Sequence, residues 1–111
     1  MIKVRIVKGS LGRVTEFTVE GHSGYNIHGE DIVCSAVSVL TQTALIGLQD
    51  IAGIDATYEI KDGYLKCQMP SVKEKEKMIK ANAILDTMVL GLSNIKKNYS
   101  SFIQMDIKEE V

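Results

Sequence analysis

The sequence predicts an α+β fold: a single mixed β-sheet packed by two long α-helices, in the order ββαββαβ. Three observations predict it. Ile2, Val4 and Ile6 alternate with Lys3 and Arg5, the period-two signature of a strand with one buried face. Two long segments, 31–52 and 71–98, read as helices. Between them lie two short strand-like runs that flank Lys61-Asp62-Gly63, a good hairpin turn. Sheet and helices in one short chain imply a layered packing, with both helices laid on the sheet.

Taken in order, Met1–Lys8 is the first strand, Gly9–Gly12 a turn, and Arg13–Glu20 the returning strand of a hairpin. Gly21–Gly29 holds three glycines in nine residues and shows no usable period, so it is a loop. Asp31–Ala52 is the first helix, bounded by Gly53, and its core stripe is expected to be Val33, Ala36, Val37, Leu40, Ala44 and Ile51. Thr57–Ile60 and Tyr64–Met69 are the next two strands, the second stopped by Pro70. Ser71-Val72-Lys73-Glu74 fits a capping box that opens the second helix, running to about Asn98. Phe102–Ile107 is the last strand. The alternating charges of Lys73–Lys77 are a solvated face.

A chain of 111 residues is expected to be one domain, 1–111. Its 45% apolar and 24% charged residues and single proline describe a globular chain. Thirteen Lys and Arg against fourteen Asp and Glu give a net charge of -1, without the basic excess of a nucleic-acid binder. The N-terminus lacks the apolar stretch of a signal peptide, and no run of about 18 apolar residues suggests a membrane span. A cytoplasmic location follows, where Cys34 and Cys67 are expected to be free thiols. No cysteine or histidine pair has zinc-ligand spacing, so neither a metal nor another cofactor is expected.

Chemistry concentrates in Gly21–Ser38, GHSGYNIHGEDIVCSAVS, which contains both histidines. With Asp31 as N-cap, Cys34 falls in the first turn of a helix, where unpaired N–H groups and the helix dipole favour an anion such as a thiolate. Asp31, Cys34 and Ser38, at i, i+3 and i+7, share one stripe, at the edge of the polar face. Position alone is equally compatible with a small apolar residue packed at a helix start. His22 ends the second strand, a firm mount for a general base, although it also suits a half-buried histidine closing that strand. His28, in the glycine loop, is the rival base. Asp31 reads first as a helix cap; orienting His22 is its second possible role. Cys67 shares a strand face with Leu65 and Met69 and reads as a core thiol.

The spacing His-x6-Gly-x-Asp-x2-Cys-x3-Ser, formed by His22, Gly29, Asp31, Cys34 and Ser38, resembles the ribosomal-processing cysteine protease family, Prp. Gly21 before the histidine and Asp-Ile-Val-Cys at 31–34 fit the same pattern. The resemblance implies a Cys34–His22 catalytic dyad, with Gly21, Gly29, Asp31 and Ser38 in supporting roles. It implies a homodimer whose substrate is bacterial large-subunit ribosomal protein twenty-seven, made with a short N-terminal extension that the peptidase removes after aromatic residues. The alternative is a non-catalytic dimeric module that binds a ribosomal or assembly partner.

Three further expectations follow. N–H groups at the helix start near Cys34 are candidates for the oxyanion donors. The loop Ser23–Glu30 is expected to act as a mobile gate. The dimer contact is expected on the second helix, where Met88, Val89, Leu90 and Leu92 crowd around Gly91.

Overall fold

A computed structural model of the chain describes residues 1–27 and 29–110. Five strands and two long helices follow in the expected order: β1 (Ile2–Lys8), β2 (Val14–Glu20), α1 (Ile32–Asp50), β3 (Thr57–Lys61), β4 (Tyr64–Gln68), α2 (Lys75–Asn98) and β5 (Ile103–Glu109). The strands form one sheet in the order β3-β4-β2-β1-β5. Hairpin connections make β1–β2 and β3–β4 antiparallel, and β2–β4 is antiparallel too. Only β1–β5 is parallel, with Ile2 opposite Ile103 and Ile6 opposite Ile107, which makes the sheet mixed.

Alternation along β1 decides which face is covered. Ile2, Val4 and Ile6 are buried, while Lys3 and Arg5 are exposed. One continuous core joins those three side chains to Phe17, Leu65, Cys67 and Ile103 of the sheet, Val33, Val37 and Leu48 of α1, and Leu85, Met88 and Leu92 of α2. Both helices therefore lie on the same side of the sheet, and the opposite side is polar. The cover is incomplete at one edge. Tyr58 and Ile60 of β3 pair with Cys67 and Leu65 and so face the helices, yet they are 51% and 45% exposed. The gap between α1 and the β3–β4 edge is the cleft described below.

The core stripe of α1 differs from the expected one. Val33, Val37, Thr41, Ala44, Leu45 and Leu48 are buried, whereas Ala36 is exposed and Ile51 is 64% exposed. The reason is that α1 is apolar on almost every side, so apolar pattern alone does not select a stripe. Thr41 can be buried because its hydroxyl donates to the Val37 carbonyl at 2.8 Å, which removes the cost of an unpaired polar group. By length and composition alone, with a mean hydropathy of 1.6, α1 is also apolar enough to cross a membrane. The expectation that no such segment exists is corrected; here one side of this helix packs on α2 and the sheet.

Helix α2 starts later than expected. The capping box over Ser71–Glu74 does not form: Glu74 occupies the cap position with extended backbone and no side-chain cap bond. Its carboxylate pairs instead with Lys77 at 3.5 Å. Met88 and Leu92, expected at a dimer seam, are 1% and 0% exposed inside the protomer's own core. Leu90 is the residue of that run that points outward. These side chains lie against α1 and the sheet, so the crowded run belongs mainly to the core.

Candidate active site

Two arms of the fold converge at the head of α1. The first is the end of β2. Gly21 follows the strand with φ +93 and donates its N–H to the Gly63 carbonyl at 2.8 Å, which ties the chain at His22 to the β3–β4 turn. The His22 ring then lies over Gly63. A Cβ at position 63 would sit 2.9 Å from His22 Nε2 and 3.4 Å from Cε1, and Gly63 also holds φ +68. The backbone angle therefore favours glycine there, and a side chain at this position would have to displace the imidazole.

The second arm is α1 itself. Asp31 is its N-cap, and its Oδ1 accepts from the N–H groups of Val33 and Cys34, each at 3.0 Å. The other oxygen serves the loop. Oδ2 accepts from the Ser23 hydroxyl, from Tyr25 N–H at 3.1 Å and from Asn26 N–H at 3.3 Å. Burial alone would raise this carboxyl. The hydrogen bonds from the Ser23 hydroxyl and from the N–H groups of Cys34, Asn26 and Val33 outweigh that, lowering it from 3.8 to about 2. Asp31 is thus a cap, and also the mooring that joins the loop after His22 to the helix that starts with Cys34.

This mooring bears on two expectations. The described part of the loop is fastened at Ser23, Tyr25 and Asn26, and the Tyr25 ring packs edge-on against Tyr99 and Phe102, with centroids 5.7 and 5.2 Å apart. A gate motion of this segment would have to break those contacts. The N–H groups of Val33 and Cys34, expected to be open to an oxyanion, already bond Asp31. The Ser35 N–H donates to the Asp31 carbonyl at 3.0 Å.

Cys34 is half-buried, and its sulfur accepts a hydrogen bond from the Ser23 N–H at 3.2 Å. It opens on a cleft of about 460 Å3 lined by Gly21, His22, Gly29, Asp31, Cys34 and Ser38, with Val39 and Gln42 on the helix wall and Val19, Ile60 and Leu65 from the sheet. All six site residues expected from the sequence therefore border one cavity. His28, the rival base, lies outside the described residues. Among the described residues, no group of three or more His, Cys, Asp or Glu could hold a metal ion.

Cys67 is fully buried in β4, where burial pushes its thiol up to about 11. Sequence reasoning missed two residues of the site. Ser23 looked like loop composition, and its only signal was its place directly after His22. Gly63 looked like turn chemistry alone, since its partner His22 lies 41 positions away and no local pattern connects them.

Similarity to known proteins agrees with this geometry. A family model described as cysteine protease Prp matches residues 1–104. A Staphylococcus aureus ribosomal processing cysteine protease Prp is 30% identical over 111 residues, spanning 97% of this chain and 100% of its own length. The crystal structure of the S. aureus protease with a covalently linked product peptide superposes with a TM-score of 0.87 at 25% identity, covering 97% of this chain and 100% of that one. A Streptococcus mutans protein superposes with a TM-score of 0.85 at 25% identity, covering 99% of this chain and 96% of that one. The fold, with its ββαββαβ order, is that of these structures, and the chain belongs to the cysteine protease Prp family.

Proposed function

We propose that this chain is a one-domain cysteine endopeptidase that removes the short N-terminal extension of bacterial large-subunit ribosomal protein twenty-seven, with Cys34 as nucleophile and His22 as base. The observation that carries this reading is the cleft: Cys34, in the first turn of α1, and His22, two residues past the end of β2, border the same cavity. The curated relatives are ribosomal processing proteases, and one was solved with a product peptide bound covalently; both support the choice of substrate.

In the reaction, His22 accepts the thiol proton and the Cys34 sulfur attacks the scissile carbonyl, forming a C–S bond. His22 returns the proton to the leaving amine as the C–N bond breaks, leaving a thioester. Water, deprotonated by His22, then releases the acid and restores the thiol. Gly21 and Gly63 hold the base, Asp31 holds the head of α1, and Gly29 and Ser38 shape the cleft wall.

The same reading makes the enzyme a cytoplasmic homodimer that binds neither membrane nor nucleic acid. A net charge of -1 supports the last point. For the dimer, the support lies on α1, not on the run in α2. Ile32, Ala36, Val39, Thr43 and Ile46 repeat at spacings of four and three along its outer side, and Ile32, Val39 and Ile46 are more than half exposed. An apolar stripe of that spacing suits pairing with a second helix.

Incubating the purified chain with the extended ribosomal protein tests the chemistry. Mass spectrometry should show one cut that removes the extension, absent with Cys34→Ala and with His22→Ala while circular dichroism is unchanged. A folded Cys34→Ala variant that still trims the precursor would reject the dyad, whereas a folded wild-type chain that binds the precursor without cutting it would favour a non-catalytic module.

A further inference from the structure

Ser23 stands next to the base in sequence and next to the nucleophile in space. Its side chain is 4% exposed, unusual for a serine in a loop. Two groups account for that burial. The hydroxyl donates to Asp31 Oδ2 and accepts from the Tyr25 N–H at 3.1 Å, so both its donor and an acceptor site are used. The main-chain N–H of the same residue points the other way, at the Cys34 sulfur, 3.2 Å distant.

The connectivity makes a closed ring. Asp31 bonds the Cys34 N–H through one oxygen and the Ser23 hydroxyl through the other, and the Ser23 N–H returns to the Cys34 side chain. A main-chain donor has no side chain of its own to hold it, and a loop that contains Gly24 gives little local stiffness. What fixes the direction of this N–H is therefore the anchored hydroxyl on the same residue. A hydrogen bond donated to sulfur stabilises the thiolate over the thiol, because the acceptor is stronger when charged.

We propose that Ser23 is a positioning residue for the nucleophile: its hydroxyl, clamped by Asp31, aims its main-chain N–H at the Cys34 sulfur and so favours the thiolate. The proposal rests on Cys34 being the reactive thiol. It assigns the loop a standing electrostatic task in the free enzyme. Among the described residues, the ionisable groups that line the cleft with Cys34 are Asp31 at the head of α1, His22 after β2, and Lys61, Asp62 and Tyr64 of the β3–β4 hairpin across the cleft. Replacing Ser23 alters none of those charges. A shifted profile in its variant would therefore be traced to the donor.

The experiment follows iodoacetamide alkylation of Cys34 against pH in the wild-type chain, Ser23→Ala and Ser23→Thr, with the labelled peptides resolved by mass spectrometry. Ser23→Ala is expected to move the rising limb to higher pH, with alkylation about three- to tenfold slower at pH 7. Ser23→Thr, which keeps a hydroxyl, is expected to recover most of the loss. Circular dichroism and the slow labelling of Cys67 should be the same in all three, which separates a local effect from unfolding. A Ser23→Ala profile that superposes on wild type would overturn the proposal, as would a folded Ser23→Thr no faster than Ser23→Ala. Because alkylation needs no peptide substrate, either result leaves the peptidase reading to the separate precursor assay.

Discussion

The two cysteines show what makes a thiol available for chemistry. Cys67 sits in a central part of the sheet, paired with Phe17 and Tyr58 on the neighbouring strands and fully covered by the helices. Its thiol is raised by desolvation alone. Cys34 is half-buried at a helix start, with an N–H on its sulfur and a histidine on the same cleft. The sheet supplies burial and little polarity, whereas the junction of loop and helix supplies donors and an opening. The difference is one of address in the fold, since the residue type is the same.

The largest test of this contrast is activity. Cys34→Ala should lower precursor cleavage below detection, and Cys67→Ala should keep kcat/KM within about twofold for the folded fraction. Comparable losses in the two variants, with both folded, would break the comparison.

Labelling comes next. With its thiol near 11, Cys67 should react with iodoacetamide at pH 7.5 about two orders of magnitude more slowly than a small-molecule thiol of ordinary acidity. Cys34 should be alkylated first in the native protein. Peptide mapping after short exposures reads both rates, and faster labelling at Cys67 would reverse the assignment.

A smaller effect is expected at the hairpin that carries the imidazole. Gly63→Ala places a methyl where the His22 ring now lies and forces an unfavourable φ. It should reduce kcat/KM about tenfold, since a displaced base loses its alignment. The urea midpoint should fall by the equivalent of only about 1 kcal/mol. Unchanged cleavage by a folded Gly63→Ala would show that His22 does not need this support.

The smallest effect concerns the pH dependence of stability. The Asp31 carboxyl titrates near 2 when folded and near 3.8 when free, so its stabilisation is complete above about pH 5 and disappears as the pH falls from 4 to 2. Asp31→Asn retains a capping side chain but not the charge, and should flatten the loss of stability in that window. Urea titrations at pH 7, 4 and 3 measure it. An Asp31→Asn chain that loses as much stability as wild type between pH 4 and 3 would remove Asp31 from the acid response.

How much of this was legible in the sequence follows from the range of each interaction. The strands of both hairpins, the Asp31 cap and the core position of Cys67 rest on neighbours within a few residues, and pattern reading found them. Six of the residues that line the cleft came as one spaced motif within eighteen positions. The α1 core stripe was misjudged because a helix with apolar residues on most sides has no contrast to read. The run from Met88 to Leu92 was hard to read for a related reason: an apolar run does not say how much of it its own protomer covers, and Met88 and Leu92 are buried while Leu90 stays exposed. The Gly63 support for His22 and the Ser23 contact with the sulfur are tertiary, so no local spacing announces them.

The composition of α1 has one more consequence. From Ile32 to Gln49 it contains no charged residue, while α2 carries Lys75, Glu76, Lys77, Lys80, Asp86, Lys96 and Lys97. One flank of α1 fills the core, another forms the cleft wall, and a third exposes Ile32 and Ile46, with Val39 at the border between the last two. Helix α2 has an ordinary wet side on which lysines can be exchanged freely. In a saturation library selected for function, α1 should therefore accept few substitutions to Asp, Glu, Lys or Arg at any point of its circumference, whereas α2 should accept them wherever a charge already stands. The helix that holds the nucleophile would then be the least evolvable segment of the chain, because each of its sides already answers to a different constraint.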